Sequence, residues 1–174
     1  ITEALVGAGT AADPYLIDSS GDFDQFVIKA NGTGSGDYYK VTDDFSVGSA
    51  TAITRDFMGF FDGDFHTIKG LKHPLFNSIN GGIVKNVALD PGTDATVSGN
   101  GAICNEADGS AKIYNCGVLS GTISGSGNVG GLVGHINSGS SVRVVNCYNF
   151  ATVSGGSTMA GIVGNNEGTV GDVR

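Results

Sequence analysis

Two carboxylates and an imidazole lie at alternate positions of one short segment, as Asp62, Asp64 and His66. Side chains of these types could coordinate a cation, or could act as an acid and a base on a glycosidic bond. The same residues fit a tight turn, with an Asp-Gly pair at its corner and the imidazole packed on the backbone. Because the segment matches neither an EF-hand loop nor the calcium-binding nonapeptide repeat, we predict no metal site.

Tyrosines are the second group of side chains that could meet a ligand. The rings of Tyr38, Tyr39, Tyr114 and Tyr148 could stack against sugar rings, or could cover a strand or the edge of a repeat. From the two groups, we take as candidate ligand-binding residues Asp62, Asp64, His66, Tyr114 and Tyr148.

Composition excludes several classes of protein. The 174 residues include 9 basic and 17 acidic side chains, which gives a net charge of −8 and argues against a nucleic-acid partner. No run of about 18 apolar residues is present, so we predict no membrane-spanning segment. With 40% hydrophobic residues, the chain can bury a core and form one domain of ordinary size.

Three cysteines, Cys104, Cys116 and Cys147, are an odd number and form no CxxC pair. No histidine lies at metal-ligand spacing from them, so we predict buried apolar thiols rather than a disulfide framework or a metal site. We predict no cofactor.

Short apolar pieces recur along the chain with a period of about 30 residues. They form three columns, with steps of 26 and 30 residues in the first, 28, 29 and 30 in the second, and 29 and 31 in the third. The members are, in turn, 95–99, 121–125 and 151–155; 74–77, 102–105, 131–134 and 161–164; and 84–87, 113–116 and 144–147, with a weaker copy at 170–173. Each piece has the length of a strand and is too short for a helix.

Three strands in each period of about 30 residues predict an all-β, single-stranded parallel β-helix. A propeller is excluded, because one of its blades needs four strands and about 40 residues. We expect the β-helix to be right-handed. In the first column the middle residues, Val97, Ile123 and Val153, should stack in the core while the flanking Thr and Ser face outward. A second core ladder should consist of Leu75, Ile103, Leu132 and Ile162.

The third column has apolar residues on both sides of an asparagine, which strict alternation cannot bury together. We therefore predict a bend in the left-handed conformation at Asn86, Asn115 and Asn146, whose stacked amides could hydrogen-bond along the axis. Cys116 and Cys147 should then be stacked neighbours.

Residues 19–28 predict a short helix, capped by Ser20 or Asp22, with Phe23, Phe26 and Val27 on its apolar face. We expect residues 1–37 to cap the N-terminal end of the solenoid and residues 38–174 to form the β-helix. The open C-terminal coil, which ends at Val173, should pair with another domain or another copy.

Five segments resemble the GLUG-repeat proteins of bacterial cell surfaces. Residues 130–134 and 145–149 are similar to the repeat itself, and residues 59–71 to the segment that precedes it, although Phe65 stands where those proteins have glycine. Residues 9–17 are similar to the entry segment of the same Bacteroides-like proteins, and residues 38–44 are similar to one of their strands. The resemblance implies a secreted or surface-exposed adhesin without known catalytic residues, and related repeats occur in non-catalytic regions of immunoglobulin-cleaving metallopeptidases.

Since the related pattern repeats Asp62, Asp64 and His66 where no activity is implied, the turn is the favoured interpretation of that cluster. Residues 95–174 hold only four acids, too few to line the carboxylate-rich cleft of a polysaccharide lyase or glycosidase. We therefore predict no catalytic residues and no enzyme.

The predicted function is cell-surface adhesion or display, outside the bacterial cell, as part of a longer protein whose signal or lipid anchor has been removed. The partner would be a host glycan or an extracellular protein, met by loops 106–112, 125–130 and 137–143. A polysaccharide-processing β-helix enzyme and a purely structural spacer are the competing hypotheses.

Overall fold

The computed structural model describes residues 4–48 and 51–169. They form a parallel β-solenoid of about five turns with one helix, as predicted. The helix is α1 (Ser20–Ala30). The strands are β1 (Tyr15–Ile17), β2 (Tyr38–Val41), β3 (Phe45–Ser46), β4 (Asp56–Phe57), β5 (Phe60–Asp62), β6 (Thr67–Lys69), β7 (Phe76–Asn80), β8 (Ile83–Lys85), β9 (Ala88–Asp90), β10 (Thr96–Ser98), β11 (Cys104–Asp108), β12 (Lys112–Tyr114), β13 (Gly117–Val118), β14 (Thr122–Ser124), β15 (Asn128–Gly130), β16 (Val133–Ile136), β17 (Arg143–Val145), β18 (Tyr148–Asn149), β19 (Thr152–Ser154), β20 (Thr158–Ala160) and β21 (Val163–Asn166).

Each strand pairs in parallel with its equivalent in the next coil. One sheet has the order β1-β2-β5-β8-β12-β17, and two five-stranded sheets have the orders β4-β7-β11-β16-β21 and β3-β6-β9-β13-β18. A three-stranded sheet, β10-β14-β19, and the pair β15-β20 complete the walls. Cys104 lies opposite Phe76 on one side and Val133 on the other, and Val133 lies opposite Val163, which confirms the period of about 30 residues.

Both predicted core ladders are present. Val97 lies opposite Ile123, and Ile123 lies opposite Val153. In the second ladder, the Ile103 amide donates to the Leu132 carbonyl (2.9 Å), and the Leu132 amide donates to the Ile162 carbonyl (3.0 Å). The side chains are buried in the central coils and only partly buried in the last described coil.

The three coils from β7 to β20 contain four or five short strands each, and the prediction of three strands in each repeat was wrong. The reason lies in the third column, where one asparagine ends a strand and the next strand starts two residues later on another wall, as with β12 and β13 around Asn115. In addition, β15 and β20 form a wall of their own. All three segments predicted as loops therefore contain strand residues: 106–112 begins in β11, 125–130 ends in β15, and 137–143 ends at the first residue of β17.

The N-cap of the helix precedes both predicted cap residues. Ser19 is the N-cap, and its hydroxyl oxygen accepts the Asp22 amide at 3.3 Å, so neither Ser20 nor Asp22 is the cap. The predicted apolar face is buried, and the Phe26 ring lies 4.7 Å from that of Tyr39 and 5.3 Å from that of Phe61. β1, which precedes the helix, is the outermost strand of the six-stranded sheet.

The three cysteines are free thiols. Cys104 and Cys116 are buried and Cys147 is half-buried, next to Cys116 in the adjacent coil. Burial raises the pKa of the Cys116 thiol well above its ordinary value, as expected for an apolar core position. The predicted copy at 170–173, and with it the end of the open coil, lies outside the described residues.

Candidate functional site

The segment with the acidic cluster folds as a tight turn. The His66 amide donates to the Gly63 carbonyl at 2.8 Å, and the two central residues, Asp64 and Phe65, have φ values of 47° and 67°. Two positive φ angles in succession define a type I′ turn, a conformation usually occupied by Asn, Asp or Gly. Phe65 therefore holds a bulky side chain in the left-handed conformation, and 75% of it is exposed.

The turn directs the candidate side chains to separate partners. Asp64 pairs with Lys40 at 3.0 Å, and His66 Nδ1 lies 3.2 Å from a carboxylate oxygen of Asp44. Asp62 pairs with Lys85 at 3.0 Å. The structure thus does not bring the two carboxylates and the imidazole together at one point. Within residues 4–48 and 51–169, no group of three His, Cys, Asp or Glu side chains could hold a metal ion.

Stacked asparagines form a continuous ladder along one corner of the solenoid, as predicted. Asn86, Asn115 and Asn146 have φ values of 56°, 52° and 54°. The Asn115 side-chain amide donates to the Asn86 side-chain oxygen at 2.9 Å, and that of Asn146 donates to Asn115 at 2.7 Å. The Asn86 amide in turn donates to Asp62 at 3.0 Å, so the ladder begins on a carboxylate.

Asp62 is held in its charged form at the start of the ladder. Partial burial alone would raise the pKa of this carboxyl group. The Asp64 backbone amide, the Lys85 ammonium and the Asn86 side-chain amide outweigh that effect, and together they lower the pKa below its ordinary value. The Asp62 carboxylate thus accepts hydrogen bonds from both the turn and the ladder and pairs with Lys85, so it is already occupied by partners within the chain.

We expect the Asp62→Asn variant to lose less stability in acid than the wild-type protein. Because the pKa of Asp62 is lowered by folding, its contribution is present above the unfolded-state pKa of about 4 and disappears as the pH falls through that value and then through the folded-state pKa. Urea unfolding at pH 7 and pH 3.5 measures the difference. An equal loss between the two pH values in both proteins would show that Asp62 contributes nothing to acid sensitivity.

A groove of about 530 Å³ lies along the ladder. We call it the asparagine groove. Its lining consists of Phe65, Asn86, Ala88, Asn115, Asn146 and Tyr148. The asparagine amides are uncharged, and the two aromatic side chains expose 75% (Phe65) and 38% (Tyr148) of their surface. The groove therefore combines apolar ring faces with polar amides and contains no acid or base.

Gly117 sets the position of the Tyr148 ring. In the sheet that follows the asparagine corner, Tyr148 lies opposite Gly117, and Gly117 lies opposite Ala88. A Cβ atom on Gly117 would overlap the Tyr148 ring, so the ring lies directly against the glycine backbone. Small residues in two successive coils thus leave the space that the groove occupies.

Of the five candidate ligand-binding residues, one lines the asparagine groove. Tyr148 is that residue, whereas Tyr114 lies in β12 between Lys85 and Val145 of the neighbouring strands. Sequence reasoning predicted the ladder but did not assign it a ligand, and it did not select Phe65. The signal that could have found Phe65 was the departure from glycine at that position.

Fold and site together define a parallel β-solenoid with a neutral groove on one corner. No protein-family model matches the chain, so the GLUG resemblance stays a prediction. Among the described residues, none of the helical structure has the length and hydropathy needed to cross a membrane.

Comparison with known proteins finds similarity to segments of very long chains. The sequence is 30% identical to halomucin of Haloquadratum walsbyi over 164 residues, covering 79% of this chain and 2% of that protein. It is 34% identical to an immunoglobulin A1 protease of Streptococcus sanguinis over 105 residues, covering 55% of this chain and 5% of that protein. The chain thus spans a small fraction of the length of these curated relatives.

A solved structure shares the fold. The crystal structure of a candidate immunoglobulin A1 protease from Bacteroides ovatus superposes with a TM-score of 0.71 at 24% sequence identity. The match covers 92% of this chain and 55% of that chain. The likeness supports the solenoid architecture over almost the whole sequence.

Proposed function

We propose that the chain is a non-catalytic binding module of an extracellular bacterial protein, and that it serves adhesion to a host glycan or an extracellular protein. One observation carries this proposal: the groove with the exposed aromatic rings is lined by neutral residues only, while the acids of the candidate cluster are engaged with other partners. Such a surface can hold a ligand but has no group positioned to transfer a proton to it.

The extracellular location is supported by the names of the relatives. An enzyme named for immunoglobulin A1 meets an antibody that circulates outside bacterial cells. The solenoid suits a surface role, because parallel coils with a continuous core form a stiff stack that holds its walls at fixed spacing. We propose in addition that the chain lies at the bacterial surface and that its role there is adhesion.

Proteolysis is the second candidate function, because two of the similar proteins carry the name of a protease. This chain corresponds to 5% of the length of one of them, so it would be a substrate-binding segment rather than the catalytic part. A polysaccharide-processing enzyme and a structural spacer are two further functions that the same experiment distinguishes.

Binding and cleavage can be measured side by side. We expect the purified chain to bind host glycans or extracellular proteins on an array and to leave immunoglobulin A1 intact after incubation, as judged by gel electrophoresis. Failure to bind any ligand on the array would favour the spacer. Cleavage of the antibody, or release of reducing ends from a polysaccharide that is lost in Asp62→Ala, would overturn the non-catalytic assignment.

A further inference from the structure

We propose that the asparagine groove is a binding site for a neutral oligosaccharide, with sugar rings stacked on Tyr148 and Phe65 and sugar hydroxyls bonded to the asparagine amides. This inference rests on the proposed binding function and adds the site and the class of ligand. It is carried by four features of the groove: its amides, its dimensions, its aromatic rims and its charge.

The ladder leaves hydrogen-bonding capacity that a ligand could use. A side-chain amide has two N–H donors and an oxygen with two lone pairs. The ladder bonds of Asn115 use one donor and one lone pair, so one of each stays free to bond elsewhere. Asn115 and Asn146 are exposed, whereas Asn86 is buried. Sugar hydroxyls both donate and accept, and therefore match a row of amides better than a purely apolar ligand does.

The dimensions of the groove suit a short chain of sugars. Successive strands lie about 4.8 Å apart, so the three amides span roughly 10 Å along the solenoid axis. A repeating ligand with a similar step can meet equivalent amides in successive coils. The volume of about 530 Å³ lies within the range of about 300–1,000 Å³ that is typical of small-molecule sites.

The left-handed backbone conformation of Phe65 supports the proposal. A bulky residue in the left-handed conformation costs roughly 1–2 kcal/mol, and the Phe65 side chain recovers little of that through burial because 75% of it is exposed. Glycine would occupy the same turn without strain. A costly conformation that holds an exposed apolar ring beside a groove is explained if the ring contacts a ligand.

Tyr148 gives the other aromatic contact, in a fixed position. One face of its ring lies against Gly117, which restrains it without filling the groove. An aromatic ring restrained before binding loses little conformational entropy when a sugar stacks on it. Its hydroxyl can also bond to the ligand.

Charge selects a neutral ligand. The six lining residues carry no charge, and the carboxylate at the start of the ladder, Asp62, is already paired with Lys85. The chain as a whole has a net charge of −8, which disfavours sulfated and sialylated glycans. We therefore expect uncharged oligosaccharides of hexose and N-acetylhexosamine.

The test is an array that carries neutral oligosaccharides, their sialylated or sulfated counterparts and extracellular proteins, probed with four forms of the chain. These are the wild-type chain, Tyr148→Ala, Phe65→Gly and a control, Tyr38→Ala. Tyr38 is a matched control because it is also a tyrosine in a strand, with 37% of its surface exposed, and does not line the groove. Phe65→Gly relieves backbone strain and so should fold even if Tyr148→Ala does not.

We expect wild type and Tyr38→Ala to bind neutral glycans equally, and each groove variant to bind about tenfold more weakly or worse. Equal binding by wild type, Phe65→Gly and Tyr148→Ala would overturn the assignment of the site while the proposed binding function stands. Preference for the acidic glycans would overturn the class of ligand. Binding only to proteins would also overturn the class of ligand, but it would agree with the proposed adhesive function. Absence of binding to any ligand would overturn both proposals.

Discussion

Replacing Ile123 by Ala should lower the free energy of unfolding by about 2–5 kcal/mol, the range found for buried aliphatic residues. Ile123 is fully buried in the middle of its ladder, with Val97 below it and Val153 above it. The coils on both sides restrict the collapse of the cavity that the truncation leaves, so the loss should lie well inside this range. Urea unfolding followed by circular dichroism measures it.

Thr122 supplies the control, because it directly precedes Ile123 in the same strand and is half-buried on the outer side. Thr122→Ala removes a hydroxyl and a methyl group from the outer face and should cost less than about 1 kcal/mol. Equal losses at the two positions would contradict the strand faces on which the solenoid core depends.

Replacing Asn115 by Ala should cost about 2–5 kcal/mol. The substitution removes two ladder hydrogen bonds, worth roughly 0.5–1.5 kcal/mol each, and places a Cβ-bearing residue without local hydrogen bonding in the left-handed conformation, at roughly 1–2 kcal/mol. The loss is measured by the same urea unfolding.

Asn115→Gly separates the two causes, because glycine accepts the φ of 52° but makes no side-chain bond. We expect the Gly variant to be more stable than the Ala variant by about 1 kcal/mol and less stable than the wild type. If the Ala and Gly variants unfold at the same urea concentration, the corner conformation is not what requires asparagine.

The sequence predicts most of the fold because, in a solenoid, the spacing of the sequence repeat equals the length of one coil. A residue such as Ile123 meets its own equivalents above and below, so equal spacing of Val and Ile reports the stacking directly. The asparagine corner was predictable for the same reason: apolar residues on both sides of Asn115 cannot share one wall, and asparagine tolerates the bend.

Details that depend on contacts between unlike segments were not predictable. The number of strands in a coil follows from hydrogen bonds around each corner, and a two-residue strand such as β13 (Gly117–Val118) has no pattern of its own to detect. The helix cap lies at Ser19 because the position of the first turn follows from how Phe23 and Phe26 pack, and Ser19 and Ser20 are equally good caps by residue type.

The groove escaped prediction for a similar reason. Phe65 and Tyr148 are separated by most of the repeat region in sequence, and only the winding of the coils brings them to the same corner. Asp64 and His66, by contrast, are close in sequence, but the tight turn directs them to different partners. Function in a solenoid is better sought along equivalent positions of successive coils than within one coil.

The side-chain amide signals of the asparagine ladder can be followed by NMR during titration with a neutral tetrasaccharide, lacto-N-tetraose. If the groove binds neutral sugars, the ¹⁵N–¹H signals of Asn115 and Asn146 will shift in a saturable manner, and those of Asn31, on the helix side of the molecule, will stay in place. Saturable shifts confined to residues 106–112 or 137–143, with the ladder signals unchanged, would contradict the assignment of the groove as the glycan site.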